Sequence, residues 1–226
     1  MNKLWLYGCS FSRDVNKYRT NKGWFDYIAE EFNLDIIDET EPGFGWSFVR
    51  NRFYNDIPYW GEDDLIIVQS SHLVRMYSEF LQTRFERFYY YPLVTCTTQD
   101  NDEKYAENLL YLSKDIPDIR NENWTQFLAS LRILNKLKKN WFWWAFEFYP
   151  DYQTLGKFVE YEFGDRLLKF EDGIKTFDEW MRANPHFCTN PPDDLHQTYE
   201  CHEVQGKLFV DQIKNYDKKV KISGIH

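Results

Sequence analysis

Short apolar runs alternate with longer amphipathic segments along most of the chain. The apolar runs predict β-strands, which we place at 3–7, 34–37, 65–69, 141–146 and 166–169. The amphipathic segments predict helices at 23–32, 47–54, 103–113, 124–139, 176–182 and 202–216. In the fourth of these helices apolar side chains recur at helical spacing, at Phe127, Leu128, Leu131, Leu134 and Leu137.

Strands that alternate with helices predict a parallel sheet covered by helices on both faces. The expected fold class is therefore α/β, with three α/β/α layers around a doubly wound parallel sheet. A chain of 226 residues is the natural size of one such domain and can bury a sizeable core. We assign a single domain over 1–226. The segment 73–102 fits the alternation least well, and we interpret it as an insertion beside the edge where the strands end.

Candidate chemistry lies at the two ends of the chain. Ser10 follows the first apolar run after Gly8 and Cys9, so we expect it at the carboxyl end of strand one, the edge at which open α/β sheets bind ligands. A serine hydroxyl there becomes a nucleophile only when a base and an acid are within reach. Asp193 and His196, near the other end of the chain, offer that pair.

Together the two ends resemble the SGNH (GDSL-like) hydrolase family. The first block of the family reads G-D-S-F or G-C-S-F after strand one, and here it is Gly8-Cys9-Ser10-Phe11. The last block reads D-x-x-H, matched by Asp193 and His196, with His202 at the spacing of a second histidine. Cys201 stands where the family has a glycine. The resemblance implies a flavodoxin-like SGNH hydrolase fold, and the G-C-S-F variant is similar to members carried by tailed bacteriophages.

The resemblance also implies roles for these residues. Ser10 would be the nucleophile, His196 the base that takes its proton, and Asp193 the carboxylate that orients the imidazole. Asp194 is the alternative to Asp193 if the segment is shifted by one residue. His202 has a structural interpretation, as a residue that caps the last helix. Ser10 by itself is also compatible with a helix cap or a turn.

The middle blocks of the family supply the oxyanion hole. The resemblance assigns its backbone donors to Ser10 and Gly43, with Gly45 as the alternative to Gly43. The third block normally reads G-x-N-D, with the asparagine side chain as another donor. This chain has Val68-Gln69-Ser70-Ser71-His72 and no asparagine there. The hydroxyl of Ser71 or the imidazole of His72 is the candidate replacement.

Composition and charge exclude several classes of partner. A net charge of −9 argues against a nucleic-acid partner, for which a basic surface is expected. No apolar run is long enough to span a membrane, and no signal peptide precedes the first strand. We therefore expect a cytoplasmic protein, or one in the host cytoplasm if a phage encodes it. The four cysteines are irregularly spaced and are interpreted as free thiols: Cys9, Cys96, Cys188 and Cys201.

Metal and cofactor sites are not indicated. The spacing of Cys188, His196, Cys201 and His202 matches no common zinc pattern. Aromatic residues form 19% of the chain and are densest at 84–92 and 141–146. We interpret the second cluster as core, whereas the first fits either a core or a platform on which a sugar or an acyl chain stacks.

Three classes of function follow from these observations. The first is a serine esterase that removes a short acyl group, such as acetyl, from a carbohydrate or another small-molecule ester. The second is an acyltransferase with the same triad, in which a sugar hydroxyl replaces water. The third is an inactive relative that binds a glycan or a protein surface, which the missing asparagine favours. The sequence does not indicate an oligomeric state.

Overall fold

The computed structural model describes residues 2–9, 22–40, 46–70, 116–146, 153–190 and 194–223. A central parallel sheet contains the strands β1 (Lys3–Tyr7), β2 (Asp35–Asp38), β3 (Leu65–Ser70) and β4 (Asn140–Ala145). Their order is β2-β1-β3-β4, so β1 has a neighbour on each side. Flavodoxin-like doubly wound sheets have this strand order. The prediction that strand one is central in a parallel sheet is confirmed.

Helices cover both faces of this sheet. In chain order, those of the described residues are α1 (Trp24–Phe32), α2 (Trp46–Asp56), α3 (Ile116–Lys136), α4 (Gln153–Phe163), α5 (Phe177–Ala183) and α6 (Tyr199–Ser223). The first, fifth and sixth helices pack on one face, and the second, third and fourth on the other. The expected three-layer α/β/α architecture is confirmed.

Strands β1, β3 and β4 are mostly apolar because both faces of the sheet are covered. In β3, Leu65 and Ile67 face α1 and α6, whereas Ile66 and Val68 face α2 and α3. In β4, Trp144 is fully buried and its ring packs edge-on against Trp24 of α1, with the centroids 6.1 Å apart. Every residue of the aromatic cluster at 141–146 is buried, so its interpretation as core is confirmed.

The outer edge of β4 is extended by single bridges. Leu167 pairs with Trp143 and Thr176 pairs with Ala145, both in the parallel sense. The amide of Leu168 donates to the carbonyl of Trp143 at 2.8 Å. The prediction of a regular strand at 166–169 is therefore wrong. A 3-10 turn (Gly164–Arg166) occupies its start, so only one residue reaches strand geometry.

Helix α6 runs in the same direction as α1. Gly206, in the second turn of α6, touches the carbonyl of Trp24 at the start of α1. Lys214, two turns further on, forms an ion pair with Glu31 near the end of α1. Because α1 follows β1, it begins at the carboxyl edge of the sheet. The start of α6 therefore lies at that same edge.

A short antiparallel hairpin leads into α6. Its strands are β5 (Cys188–Asn190) and β6 (Asp194–Gln197). The sequence predicted a loop from Asp193 to His196, and this is wrong for the backbone from Asp194 onward, which is strand. The hydroxyl of Thr198 accepts the amide of Cys201 at 3.3 Å, which caps the helix. The helix consequently begins at Tyr199, three residues before its predicted start.

The other predicted helices fit to different degrees. The helices predicted at 23–32, 47–54 and 176–182 agree with α1, α2 and α5 to within two residues at each end. Helix α3 begins at Ile116, earlier than predicted, and α4 was not predicted. The predicted helix 103–113, the insertion 73–102 and the aromatic cluster 84–92 lie outside the described residues. The assignment of a single domain stays a prediction.

Candidate active site

The site residues that the sequence predicts follow β1, β2 and β3 or belong to the segment that precedes α6. Most of these lie outside the described residues: Ser10, Gly43, Ser71, His72 and Asp193. For His196 the backbone alone is described, within β6. Each of them is within three positions of a described residue. The described residues next to them in sequence therefore show the framework that supports the proposed site.

The carboxyl end of β1 is held by a glutamine side chain from β3. The amide of Cys9, the residue before Ser10, donates to Oε1 of Gln69 at 3.0 Å. Nε2 of Gln69 lies 3.4 Å from Sγ of Cys9 and donates to it. Both side chains are fully buried. The backbone that leads to Ser10 is thus fixed to the neighbouring strand by a side chain, beyond the point where the ladder of β1 and β3 ends.

The ends of β3 and β4 are joined by the backbone. The amide of Phe146 donates to the carbonyl of Ser70 at 3.3 Å, and the amide of Asp178 in α5 donates to the carbonyl of Phe146 at 2.9 Å. The Ser70 hydroxyl is buried on the α2 face and has no hydrogen-bond partner among the described residues. The residue directly before Ser71 therefore carries a buried hydroxyl that no described residue binds.

The end of β2 forms a tight polar turn ahead of Gly43. Oδ1 of Asp38 accepts the amide of Thr40 at 2.9 Å and its hydroxyl at 2.5 Å. The amide of Glu39 donates to the carbonyl of Leu6 at 3.0 Å, which ties this turn to β1. In α2, Val49 and Phe53 are fully buried against the sheet.

Acidic side chains gather between β2 and α2. Partial burial raises the pKa of Glu39, and repulsion by Asp56 adds to this, while Arg52 opposes it from 3.7 Å. Burial also raises the pKa of Asp56, although the Tyr7 hydroxyl donates to its Oδ2 at 2.9 Å and favours the carboxylate. Tyr7 accepts from Nε1 of Trp60 at 3.1 Å, and burial raises its own pKa. These hydrogen bonds connect the carboxyl end of β1 to the end of α2.

The segment that carries His196 is anchored to α6. Gln197 is the next residue in β6, and its Nε2 donates to Oε1 of the fully buried Gln205. The amide of Thr198 donates to the carbonyl of Phe187 at 2.8 Å. His202 is buried in the first turn of α6, where its amide donates to Thr198. The helix is capped by Thr198 rather than by His202.

The described cysteines are free and buried: Cys9, Cys188 and Cys201. Sγ of Cys201 lies 3.7 Å from Sδ of Met181, and Sγ of Cys188 lies 3.8 Å from the Met181 carbonyl. Burial, followed by the influence of Cys188, raises the pKa of the Cys201 thiol. In the described part of the chain, no group of three or more His, Cys, Asp and Glu side chains is arranged to hold a metal ion. Nor does any helix there have both the length and the apolar character needed to cross a membrane.

Gln69 is the residue at this edge that the sequence did not single out. It lies in β3, where all four residues that precede it, from Leu65 to Val68, are hydrophobic. A buried polar residue requires hydrogen-bond partners. The interruption of the apolar run was therefore a usable signal, although it did not reveal which backbone amide Gln69 binds.

Comparison with known structures agrees with this fold. The psychrotrophic esterase EstA from Pseudoalteromonas sp., solved with monoethylphosphonate as inhibitor, superposes with a TM-score of 0.54 at 13% identity. The superposition covers 96% of this chain and 100% of EstA. A G-D-S-L family protein from Desulfitobacterium hafniense has a TM-score of 0.49 at 10% identity, covering 94% and 99% of the two chains. A lipolytic G-D-S-L family member from Veillonella parvula has a TM-score of 0.46 at 10% identity, covering 95% and 97%.

No family model matches the chain, and no curated protein matches its sequence. The structural match to EstA extends over almost the whole of both chains, so it concerns the complete arrangement of the sheet and its helices. The expected fold, a doubly wound parallel sheet, is confirmed.

Proposed function

We propose that this chain is a serine esterase of the SGNH kind. Ser10 would attack the ester carbonyl through Oγ while His196 takes its proton. Asp193 would hold the other imidazole nitrogen and stabilise the charged ring. The proton then passes to the leaving alcohol, and an acyl-serine remains. Water, activated by the same histidine, attacks the acyl-serine, releases the carboxylic acid and restores Ser10.

The observation that carries this proposal is the parallel arrangement of α1 and α6. Gly206 packs against Trp24 at the start of α1, so α6 begins at the carboxyl edge of the sheet. Strand β6, with His196, immediately precedes α6, and β1 ends at the same edge with Tyr7, three residues before Ser10. Two segments at opposite ends of the sequence therefore approach one edge. The fold shared with EstA, an esterase, supports the same conclusion.

The oxyanion hole is proposed to contain the backbone amides of Ser10 and Gly43. A well-placed donor contributes about 3 kcal/mol of transition-state stabilisation. The third donor would be the hydroxyl of Ser71 or the imidazole of His72, in place of the family's asparagine. The Ser70 hydroxyl, which has no hydrogen-bond partner among the described residues, is a buried hydrogen-bonding group in the same stretch of chain.

The proposed substrate is a short acyl ester, with acetyl on a carbohydrate as the first choice. An acyltransferase would use the same residues and differ only in the group that resolves the acyl-serine. A sugar hydroxyl would then compete with water. Hydrolysis of an aryl acetate with and without added sugars separates these two outcomes, because a transferase forms an acetylated sugar.

The proposal is tested by labelling with a fluorophosphonate probe, which reacts with activated serines whatever the natural substrate. We expect labelling of the wild type and loss of labelling in Ser10→Ala. Ser12→Ala, two residues away, is the matched control and should label normally. An unlabelled wild type, or labelling that persists in Ser10→Ala, would favour the relative that binds a glycan or a protein surface.

A further inference from the structure

Gln69 belongs to the face of the sheet that packs against α1 and α6. It follows Leu65 and Ile67 at the strand spacing of two, and both of these belong to the same core as Cys9. Its carboxamide lies at the end of β3, one position beyond the last pair of the β1–β3 ladder, Tyr7 with Val68. The side chain therefore stands where the backbone pairing of the two strands stops.

The hydrogen bonds of this carboxamide fix its orientation. Oε1 accepts the amide of Cys9 at 3.0 Å, and Nε2 donates to the sulfur of the same residue at 3.4 Å. Both residues are fully buried, so neither bond is exchanged for a bond to water. A buried amide that lost its acceptor would carry the full cost of its desolvation. The chain at Cys9 is consequently held in one conformation.

This contact decides which amides are available next to Ser10. The Cys9 amide is occupied by Gln69 and cannot bind an oxyanion, whereas the amide of Ser10 itself is one peptide further on. Holding the Gly8–Cys9 peptide plane restricts the direction in which the chain enters Ser10. The geometry of a nucleophile is critical, since displacement by about 1 Å can reduce a rate by about a hundredfold.

We propose that Gln69 is a positioning residue for Ser10, an inference that rests on the proposed esterase function. It acts through the backbone of Cys9 and does not touch the substrate. In this interpretation, the end of β3 contributes to the site by orienting the nucleophile, while Ser71 or His72, which follow β3, would supply the third oxyanion donor.

The test compares Gln69→Met with Gln69→Glu. Methionine has the length of glutamine but no acceptor for the Cys9 amide, whereas glutamic acid keeps an oxygen in either protonation state. We expect Gln69→Met to lower the rate of fluorophosphonate labelling and the kcat for an aryl acetate by about tenfold to a hundredfold, with KM little changed. Gln69→Glu should recover most of this loss.

Gln212→Met is the matched control. Oε1 of Gln212 also accepts a backbone amide, that of Lys169 at 2.8 Å, but Gln212 lies about 20 Å along α6 from its start. This variant should be less stable to urea and label at the wild-type rate while folded. All variants are assayed at a temperature where circular dichroism shows them to be folded.

The outcomes separate this inference from the proposed function. A folded Gln69→Met that labels at the wild-type rate, beside an active wild type, overturns the positioning role and leaves the esterase intact. Equal losses in Gln69→Met and Gln212→Met would also overturn it, because general destabilisation would then explain both. A wild type that neither labels nor hydrolyses esters rejects the proposed function, and the positioning role with it.

Discussion

A Cβ atom placed on Gly206 would lie 2.8 Å from the carbonyl oxygen of Trp24 and equally close to the Tyr27 ring and Cβ. Contacts this short are not tolerated between carbon and backbone oxygen, so α6 approaches α1 as closely as it does only because residue 206 is glycine. The close approach aligns the start of α6 with the edge where β1 ends. We therefore expect Gly206 to influence how closely the segment before α6, with His196, approaches the end of β1 in the proposed site.

Gly206→Ala should destabilise the protein and displace the start of α6. The added methyl group meets a backbone carbonyl that cannot rotate away, and overpacking of this kind typically costs about 1–3 kcal/mol. We expect a lower free energy of unfolding in urea and slower labelling of Ser10 in the folded variant.

Gly164→Ala is the control for this change. A Cβ there would have Glu160 Cγ as its nearest neighbour, at 3.5 Å, an ordinary contact with a flexible side chain. Its stability and labelling rate should be close to those of the wild type. If Gly206→Ala behaved like Gly164→Ala, the close packing of α6 on α1 would not be required for folding or for the site.

Asp64→Asn should remove an acid-sensitive contribution to stability. The Asp64 carboxylate is buried at the amino end of β3 and accepts from the Lys3 amide at 2.9 Å, from Trp5 Nε1 at 2.8 Å and from the Gly61 amide at 2.8 Å. Burial alone would raise its pKa, but these donors outweigh burial and the pKa of Asp64 is lowered. We expect the variant to lose about 2 kcal/mol at neutral pH, the range for hydrogen bonds to a charged group.

The pH dependence follows from the lowered pKa. A carboxyl group whose pKa is lowered by folding stabilises the protein above its unfolded-state pKa of about 3.9, and this contribution is lost as the pH falls through the folded value. The difference in unfolding free energy between wild type and Asp64→Asn should therefore be full at pH 7 and shrink below about pH 4. Asp63→Asn, at the exposed neighbour, is the control and should leave the free energy of unfolding at pH 7 close to that of the wild type. If the difference in unfolding free energy between wild type and Asp64→Asn stayed constant over this pH range, the stabilising role assigned to the ionised Asp64 carboxylate would be wrong.

The central sheet could be predicted from the sequence because its signal is local. Strands β1, β3 and β4 lie on short apolar runs and were located to within one residue at each end. Helix α4 was missed because Gly156 interrupts its pattern and exposed Phe158 and Tyr161 blur its apolar face. Strand β6 was missed because four residues in a hairpin carry no periodicity of their own.

The candidate site was predictable only where residue type alone carries information. Ser10 and His196 stay predictions from the resemblance of the two end blocks, and the topology places the end of β1 and the start of α6 at one edge. The contact between Gln69 and Cys9 joins residues 60 positions apart. Such a pairing depends on the register of β1 and β3, and no single-sequence pattern specifies it.

The described cysteines should be inert in the folded protein. Cys9 and Cys201 are fully buried and Cys188 nearly so, and burial raises the pKa of the Cys201 thiol, which keeps it protonated. Since the thiolate is the reactive form, iodoacetamide at pH 8 should not modify Cys201 until the chain unfolds. Peptide mass spectrometry across a urea series measures this. Modification of Cys201 in the absence of urea would show that the start of α6 opens readily.

The last prediction concerns the carboxylate partner of His196. Asp194 is the first residue of β6, where its backbone is paired in register with Asn190, whereas Asp193 precedes the strand. The family spacing assigns the partner to Asp193, so Asp193→Ala should lower kcat for an aryl acetate on the order of a thousandfold or more, the loss typical when a triad carboxylate is removed.

Asp194→Ala is the internal control, one residue away and with the same loss of charge. It should retain a rate close to that of the wild type and the same pH profile. In Asp193→Ala the residual rate should rise with pH over a different range, because the imidazole of His196 would have lost the carboxylate that stabilises its charged form. A large loss in Asp194→Ala with Asp193→Ala near normal would reverse the assignment. It would make the acid of the triad a strand residue two positions from its histidine, and the D-x-x-H spacing in this chain would then be coincidental.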